Sequence, residues 1–431
     1  MRHYRNTFIA ILFAMILSPM GVWAQNGANS PYTRYGFGQL SDQNLGGNKA
    51  MGGVGIGLRD GSQINVSNPA SYTAVDSLTF LFDAGVSLQN ANFNDGKTKL
   101  NAKNSSFDYL AMQFRLCNKA AMTFGFLPYS TVGYGFSSSE TIKQGVGGWE
   151  EEVVATTNYS GNGGLHQAFI GAAYKIRPNF SLGMNVSYLF GDFTHSVTAS
   201  FSDANINSLA RIYTAQISDI KLDFGAQYSF KLSSKEKVTL GATYSWGHDL
   251  NAIKSTITEQ KMSGSTVIND SVRNVRKAFQ LPHSFGAGVT YLYDNRLLIG
   301  ADFSLQKFSD VRLWGEDDQL ADRMKISLGA QFQPKLMGRS IFSVMKYRAG
   351  IYYSDPYVKV DGQDAAREYG VSVGFACPLM TKWGNQSSII SISGEWVKVD
   401  PRVNGLLTEN YLRLSVGLTF NELWFQKWKV R

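Results

Sequence analysis

Histidine is scarce among the side chains able to do acid–base or nucleophilic chemistry: His3, His166, His195, His248 and His283 are the full set in 431 residues. A hydrolase needs a histidine within reach of its nucleophile and oriented by a third group. Asp192 lies near His195 and Asp249 near His248, but no complete constellation assembles around either. Both histidines are read as wet polar groups at strand ends. No His-Glu-x-x-His or other metal-ligand spacing occurs. Cys117 and Cys377 lie far apart with no Cys-x-x-Cys, which argues against a metal site. They are read as unpaired, a disulfide in an oxidising compartment being the alternative. The acidic runs Glu150-Glu151-Glu152 and Glu316-Asp317-Asp318 are read as solvated loop charge, the alternative being loops that bind divalent cations, or surface lipopolysaccharide through them. Gly53-x-Gly55-x-Gly57 has the look of a phosphate cradle, but no strand precedes it and no dinucleotide-binding unit follows. The expectation is no catalytic residue, no metal and no cofactor.

Composition narrows the class further. The formal charge is +8, but the basic residues are scattered rather than gathered on one face as nucleic-acid binding requires. Glycine (43), phenylalanine (27) and tyrosine (21) are abundant, while charged residues are only 17%. A mean hydropathy of −0.16 is too polar for a bundle of membrane helices. Strands with one face to lipid and one to water have this composition.

Residues 1–24 read as a secretory signal: Arg2 and Arg5, then the apolar run Phe8 to Leu17, then Pro19 and Gly21 before Val22-Trp23-Ala24. Cleavage is expected after Ala24, with export to the bacterial outer membrane.

From about residue 77 apolar and polar side chains alternate. Leu182, Met184, Val186, Tyr188 and Phe190 oppose Gly183, Asn185 and Ser187. Leu412, Leu414, Val416, Leu418 and Phe420 oppose Arg413, Ser415, Gly417 and Thr419. The runs are about ten residues or longer, the length a tilted membrane strand needs. About fourteen segments are expected, starting near 77, 104, 120, 164, 180, 213, 237, 278, 296, 323, 343, 367, 388 and 410. Short links near 116–119, 177–179, 232–236 and 294–295 alternate with long ones such as 139–163, 256–277 and 310–322. The fold expected is all-β: a transmembrane antiparallel β-barrel of about fourteen strands over 77–420, with a periplasmic tail at 421–431. Residues 25–76 do not alternate. Their glycines, Gly53, Gly55 and Gly57 among them, suit the tight turns of an N-terminal plug folded into the lumen.

With Asn68-Pro69-Ala70 closing that segment, the chain resembles the FadL family of outer-membrane transporters for hydrophobic compounds. The resemblance implies an N-terminal hatch in which Asn68, Pro69 and Ala70 sit. It also implies a kinked third strand that opens sideways to the membrane. Here the third strand carries Gly125, Pro128 and Gly133, and a proline there cannot donate to the ladder. A bulge that only adjusts curvature is the alternative for Pro128. The functional expectation is passive uptake of hydrophobic small molecules, fatty acids or aromatics, with outer-membrane lipids and that ligand as partners. The alternative is an accessory barrel of an outer-membrane secretion or assembly complex, with other envelope proteins as partners.

Overall fold

The computed structural model describes residues 28–423 except 78, 147–148, 204, 263–264, 275–277, 339, 361, 381–386 and 404. The signal (1–24) and most of the tail expected at 421–431 lie outside the described residues.

A two-residue strand β1 (Gln39–Leu40) precedes β2 (Thr79–Asn94), β3 (Lys99–Cys117), β4 (Ala120–Val146), β5 (Trp149–Arg177), β6 (Phe180–Phe201), β7 (Ser208–Lys231) and β8 (Glu236–Ser245). A hairpin follows, β9 (Ala252–Met262) with β10 (Ser265–Asn274). Next come β11 (Ser284–Tyr293), β12 (Leu297–Gln306), β13 (Arg323–Phe332) and β14 (Lys346–Ser354). The chain ends with a small ladder β15 (Lys359–Val360) and β16 (Gln363–Asp364), then β17 (Ala366–Met380), β18 (Ser387–Pro401) and β19 (Thr408–Leu423). Without β1, β9 and β10, the large sheet is a ring of fourteen antiparallel strands closed by β19 on β2, Phe420 opposite Phe82. Closure of the ring pairs each of the fourteen strands on both sides over at least part of its length.

Alternation places the strands as the sequence reading expects. Val86, Leu88, Leu182, Met184, Val186, Tyr188, Leu412 and Leu414 stand exposed on the outer wall, where an apolar face is stable only against lipid. The inner face carries small and polar residues. Several of its glycines are required by close approach: a Cβ on Gly183 would collide with Pro69, on Gly241 with Ile56, and on Gly350 with Met51.

Strand starts agree with expectation to within a few residues except at β3, β5, β7 and β11, which begin at 99, 149, 208 and 284. The long link expected at 139–163 is instead a continuation of β4 and β5, paired from Ser139↔Thr156 to Val146↔Trp149. The link at 256–277 holds the β9–β10 hairpin, which pairs on β7 from Ser208↔Lys261 to Ile217↔Ala252. Serine- and threonine-rich strands emerging from the membrane carry no apolar face, so their pairing leaves little periodic signal.

Candidate functional site: the occupied lumen and a break in its wall

Asn68 opens the last turn of the inner segment. Its Oδ1 accepts from the Ala70 N–H at 3.0 Å, with Pro69 in the first position of the 3-10 turn Pro69–Ala74. Asparagine at the cap and proline next to it are the residue types such a turn favours. Asn68 Nδ2 then donates to the Ile56 and Ala226 carbonyls at 2.8 and 3.1 Å, tying the turn to β7. Ala70 is wholly buried, and Tyr72 donates to Asn185 of β6 at 3.0 Å.

Gly53, Gly55 and Gly57 have separate tasks. Gly53 has φ +85°, a left-handed conformation that glycine adopts without strain. The Gly55 and Ile56 N–H groups both donate to Asp302 of β12, at 2.6 and 2.7 Å. The Gly57 carbonyl accepts from Thr290 of β11 at 2.8 Å. Ion pairs fasten the same segment to the wall at Lys49–Asp108 (2.6 Å), Asp42–Lys325 (2.7 Å) and Asp60–Lys346 (2.8 Å). Burial alone would raise the Asp42 and Asp60 carboxyls, but their lysine partners outweigh it and hold both below the usual carboxylate range. Arg59, largely stripped of water, is pushed down to about 10.

The third barrel strand, β4, is broken on one side. Its pairing with β3 runs only from Cys117↔Ala120 to Leu110↔Phe126. Pairing with β5 continues past it, with a bulge between Pro128 and Ser130. Inner-segment residues take up the edge that β3 leaves. Gln39 and Leu40 pair with Thr131 and Ser130. Gln43 donates to the Pro128 carbonyl at 3.2 Å, and the Ser41 N–H donates to the Tyr129 carbonyl at 2.9 Å. Thr33 Oγ1 accepts from the Gly133 N–H and donates to the Gly133 carbonyl, both at 3.1 Å. Gly133 is thus an anchor for the inner segment. At Gly125 a Cβ would collide with the Phe169 ring.

A cavity of about 810 Å³ lies at this break, lined by Phe107 and Phe126 from the two separated strands and by charged side chains from the lumen. Arg413 donates to Glu395 and Gln89 at 2.8 and 3.0 Å. Arg323 donates to Ser354 at 3.1 Å, and Glu368 accepts from Tyr352 at 2.6 Å. A smaller cavity of about 240 Å³ is bounded by Asp42, Asp223, Lys221, Asp302 and Lys325 together with Phe224, Trp246 and Phe285. Both interiors are charged, not the apolar space above a hatch that uptake of greasy ligands would use.

The long-link end is closed by an apolar cluster that sequence reading missed. Phe37, Leu165, Phe193, Phe279, Phe308, Leu313, Tyr357 and Val358 are buried there, drawn from the inner segment, β5, β6 and three long links. His195, expected to be wet, is 8% exposed in this cluster and hydrogen-bonds the Tyr134 hydroxyl at 2.9 Å. His248 stacks on Trp246 at 4.7 Å and faces Asp219. Both cysteines are free. Among the described residues no group of three or more His, Cys, Asp or Glu is placed to hold a metal ion.

The fold is that of FadL-type outer-membrane channels. The chain is similar to a FadL homologue from Pseudomonas aeruginosa at 11% identity, covering 89% of this chain and 99% of that one with a TM-score of 0.60. It is similar to the toluene transporter TbuX of Ralstonia pickettii at 11% identity, covering 88% and 98% with a TM-score of 0.58. The CymD monoaromatic hydrocarbon channel aligns at 13% identity over 91% and 100%, with a TM-score of 0.57. No curated protein matches in sequence. A family model described as BamG matches residues 5–431.

Proposed function

The chain belongs to the BamG family, and from that premise we propose that it acts as a closed barrel, an accessory subunit of an outer-membrane secretion or assembly complex. The observation that carries this reading is the occupied, charge-lined lumen beneath an apolar lid. Opening the lid would return Phe37, Phe193, Phe279 and Phe308, all fully buried, to water. At roughly 1.5–3 kcal/mol for each large side chain, that is on the order of 6–12 kcal/mol. An apolar ligand passing beneath would also lie against Asp42, Glu368, Glu395 and Arg413, charged groups that it cannot hydrogen-bond and whose desolvation is expensive. The link between β13 and β14, on the short-turn side, exposes Leu336, Met337, Ile341 and Phe342. Exposed apolar groups of this kind mark contact surfaces.

The break beside β4 favours a second reading: passive uptake of hydrophobic small molecules, with Asn68-Pro69-Ala70 as hatch and the Pro128 region as lateral exit. Two of the similar structures are described as a toluene transporter and a monoaromatic hydrocarbon channel, so the fold accommodates that task elsewhere. The test is extraction of the native barrel in mild detergent and mass spectrometry of what comes with it. Stoichiometric envelope proteins without an apolar ligand support the accessory role. A bound fatty acid or aromatic compound on a solitary barrel overturns it.

A further inference from the structure

We propose that the break between β3 and β4 is a binding site for the zwitterionic headgroup of a membrane phospholipid of the phosphatidylethanolamine type. The break and its lining point to this site independently of the accessory role. At about 810 Å³ the cavity falls in the range of small-molecule sites, and the missing β3–β4 pairs leave it open to the outer wall. Phe107 and Phe126, whose rings pack with centroids 6.2 Å apart, border the break, with Phe190 and His166 beside Phe126 at 6.2 and 5.5 Å. Ser87, Ser105 and Ser106 bring hydroxyls to the same lining. A molecule seated here has its hydrophobic part against rings and lipid and its polar end among charges.

The charges select the headgroup. Five carboxylates, Asp42, Asp108, Asp192, Glu368 and Glu395, line the cavity against three basic groups, Lys49, Arg323 and Arg413. Three carboxylates already have close basic partners, through Lys49–Asp108, Lys325–Asp42 and Arg413–Glu395. Among the described residues Arg323, Glu368 and exposed Asp192 have no ion pair. One guanidinium and two carboxylates are therefore left to answer a ligand carrying both signs. A phosphate suits Arg323, which can present two parallel donors, and a primary ammonium suits Glu368 and Asp192. A fatty-acid carboxylate or a purely anionic lipid brings a charge of the sign already in excess. A quaternary ammonium supplies the charge without N–H donors.

The full-length barrel in lipid-free detergent is titrated with dioleoyl phosphatidylethanolamine, phosphatidylcholine, phosphatidylglycerol and soluble phosphoethanolamine, and bound adducts are read by native mass spectrometry. Phosphatidylethanolamine is expected to bind roughly tenfold more tightly than each of the others, the scale of one charge-assisted hydrogen bond. Ser106→Trp, at an exposed position lining the opening, is expected to abolish the adduct while the barrel keeps its heat-modifiable migration. The pair Arg323→Gln and Glu368→Gln is expected to erase the headgroup preference and leave weak binding to any lipid. Equal binding of all the lipids to the unaltered barrel, an adduct that survives Ser106→Trp, or soluble phosphoethanolamine binding as well as the lipid would each overturn the proposal.

Discussion

At residue scale, the inner segment is held by a few side chains that each satisfy several backbone groups. Asn68 is the clearest: one amide caps its own turn and donates to two carbonyls. Asn68→Ala should loosen residues 55–75 by about 1–2 kcal/mol, the usual cost of a lost cap. Hydrogen exchange across that stretch, with the barrel strands as internal reference, reads it. Asp42 and Asp60 carry the pH dependence. Their folded-state pKa values lie below the unfolded carboxylate value of about 3.9. The stabilisation they give is therefore complete above about pH 4 and is lost as pH falls through the depressed folded values. Protection beside the two ion pairs, at residues 42–44 and 60–62, should hold from pH 7 to 4 and fall only in stronger acid. Asp42→Asn with Asp60→Asn should lower it at neutral pH and remove the acid step. Asn68, Pro69 and Ala70 could be picked out from a short motif. Asp302, Lys325 and Arg413 could have been noticed as charges on the small-residue face of alternating strands. Their partners could not, because Gly55 and Asp302 are joined only by the folded barrel.

At the scale of elements, β4 departs from a regular barrel. Pro128 cannot donate, and the strand that should continue alongside it stops pairing at Phe126. Pro128→Val restores an N–H. It is expected to straighten the bulge and extend the β3–β4 ladder, bringing spin labels at Ser105 and Thr131 closer by several ångströms, on the scale of the ≈ 4.8 Å strand spacing. Unchanged label separation would assign the break to the inner segment, which pairs with β4 through β1. Gly241→Val tests that segment from the other side: a side chain there must displace Ile56. Loss of protection at 54–58 is expected with strand pairing intact. The proline and its place in the third strand were legible in the sequence. The share of the open edge taken by residues 33–43 was not, since polar, glycine-rich chain gives no periodic signal for pairing with a distant strand.

For the whole molecule, fourteen strands could be counted because lipid outside and a polar lumen inside impose a period of two that survives divergence to 11% identity. The closed long-link end was hidden because its aromatic residues come from the inner segment, from strands and from links far apart in sequence, and meet only when the ring closes. A barrel of channel architecture therefore holds a charged, occupied interior beneath an apolar lid. The most direct test of that closed state is single-channel conductance and toluene flux through the purified barrel in planar bilayers and vesicles, beside the same barrel lacking residues 28–76. A closed barrel should show no conductance and no flux above empty membrane for the intact chain, with large, long-lived openings only after the deletion. Steady toluene flux through the intact barrel would contradict it and restore the uptake reading.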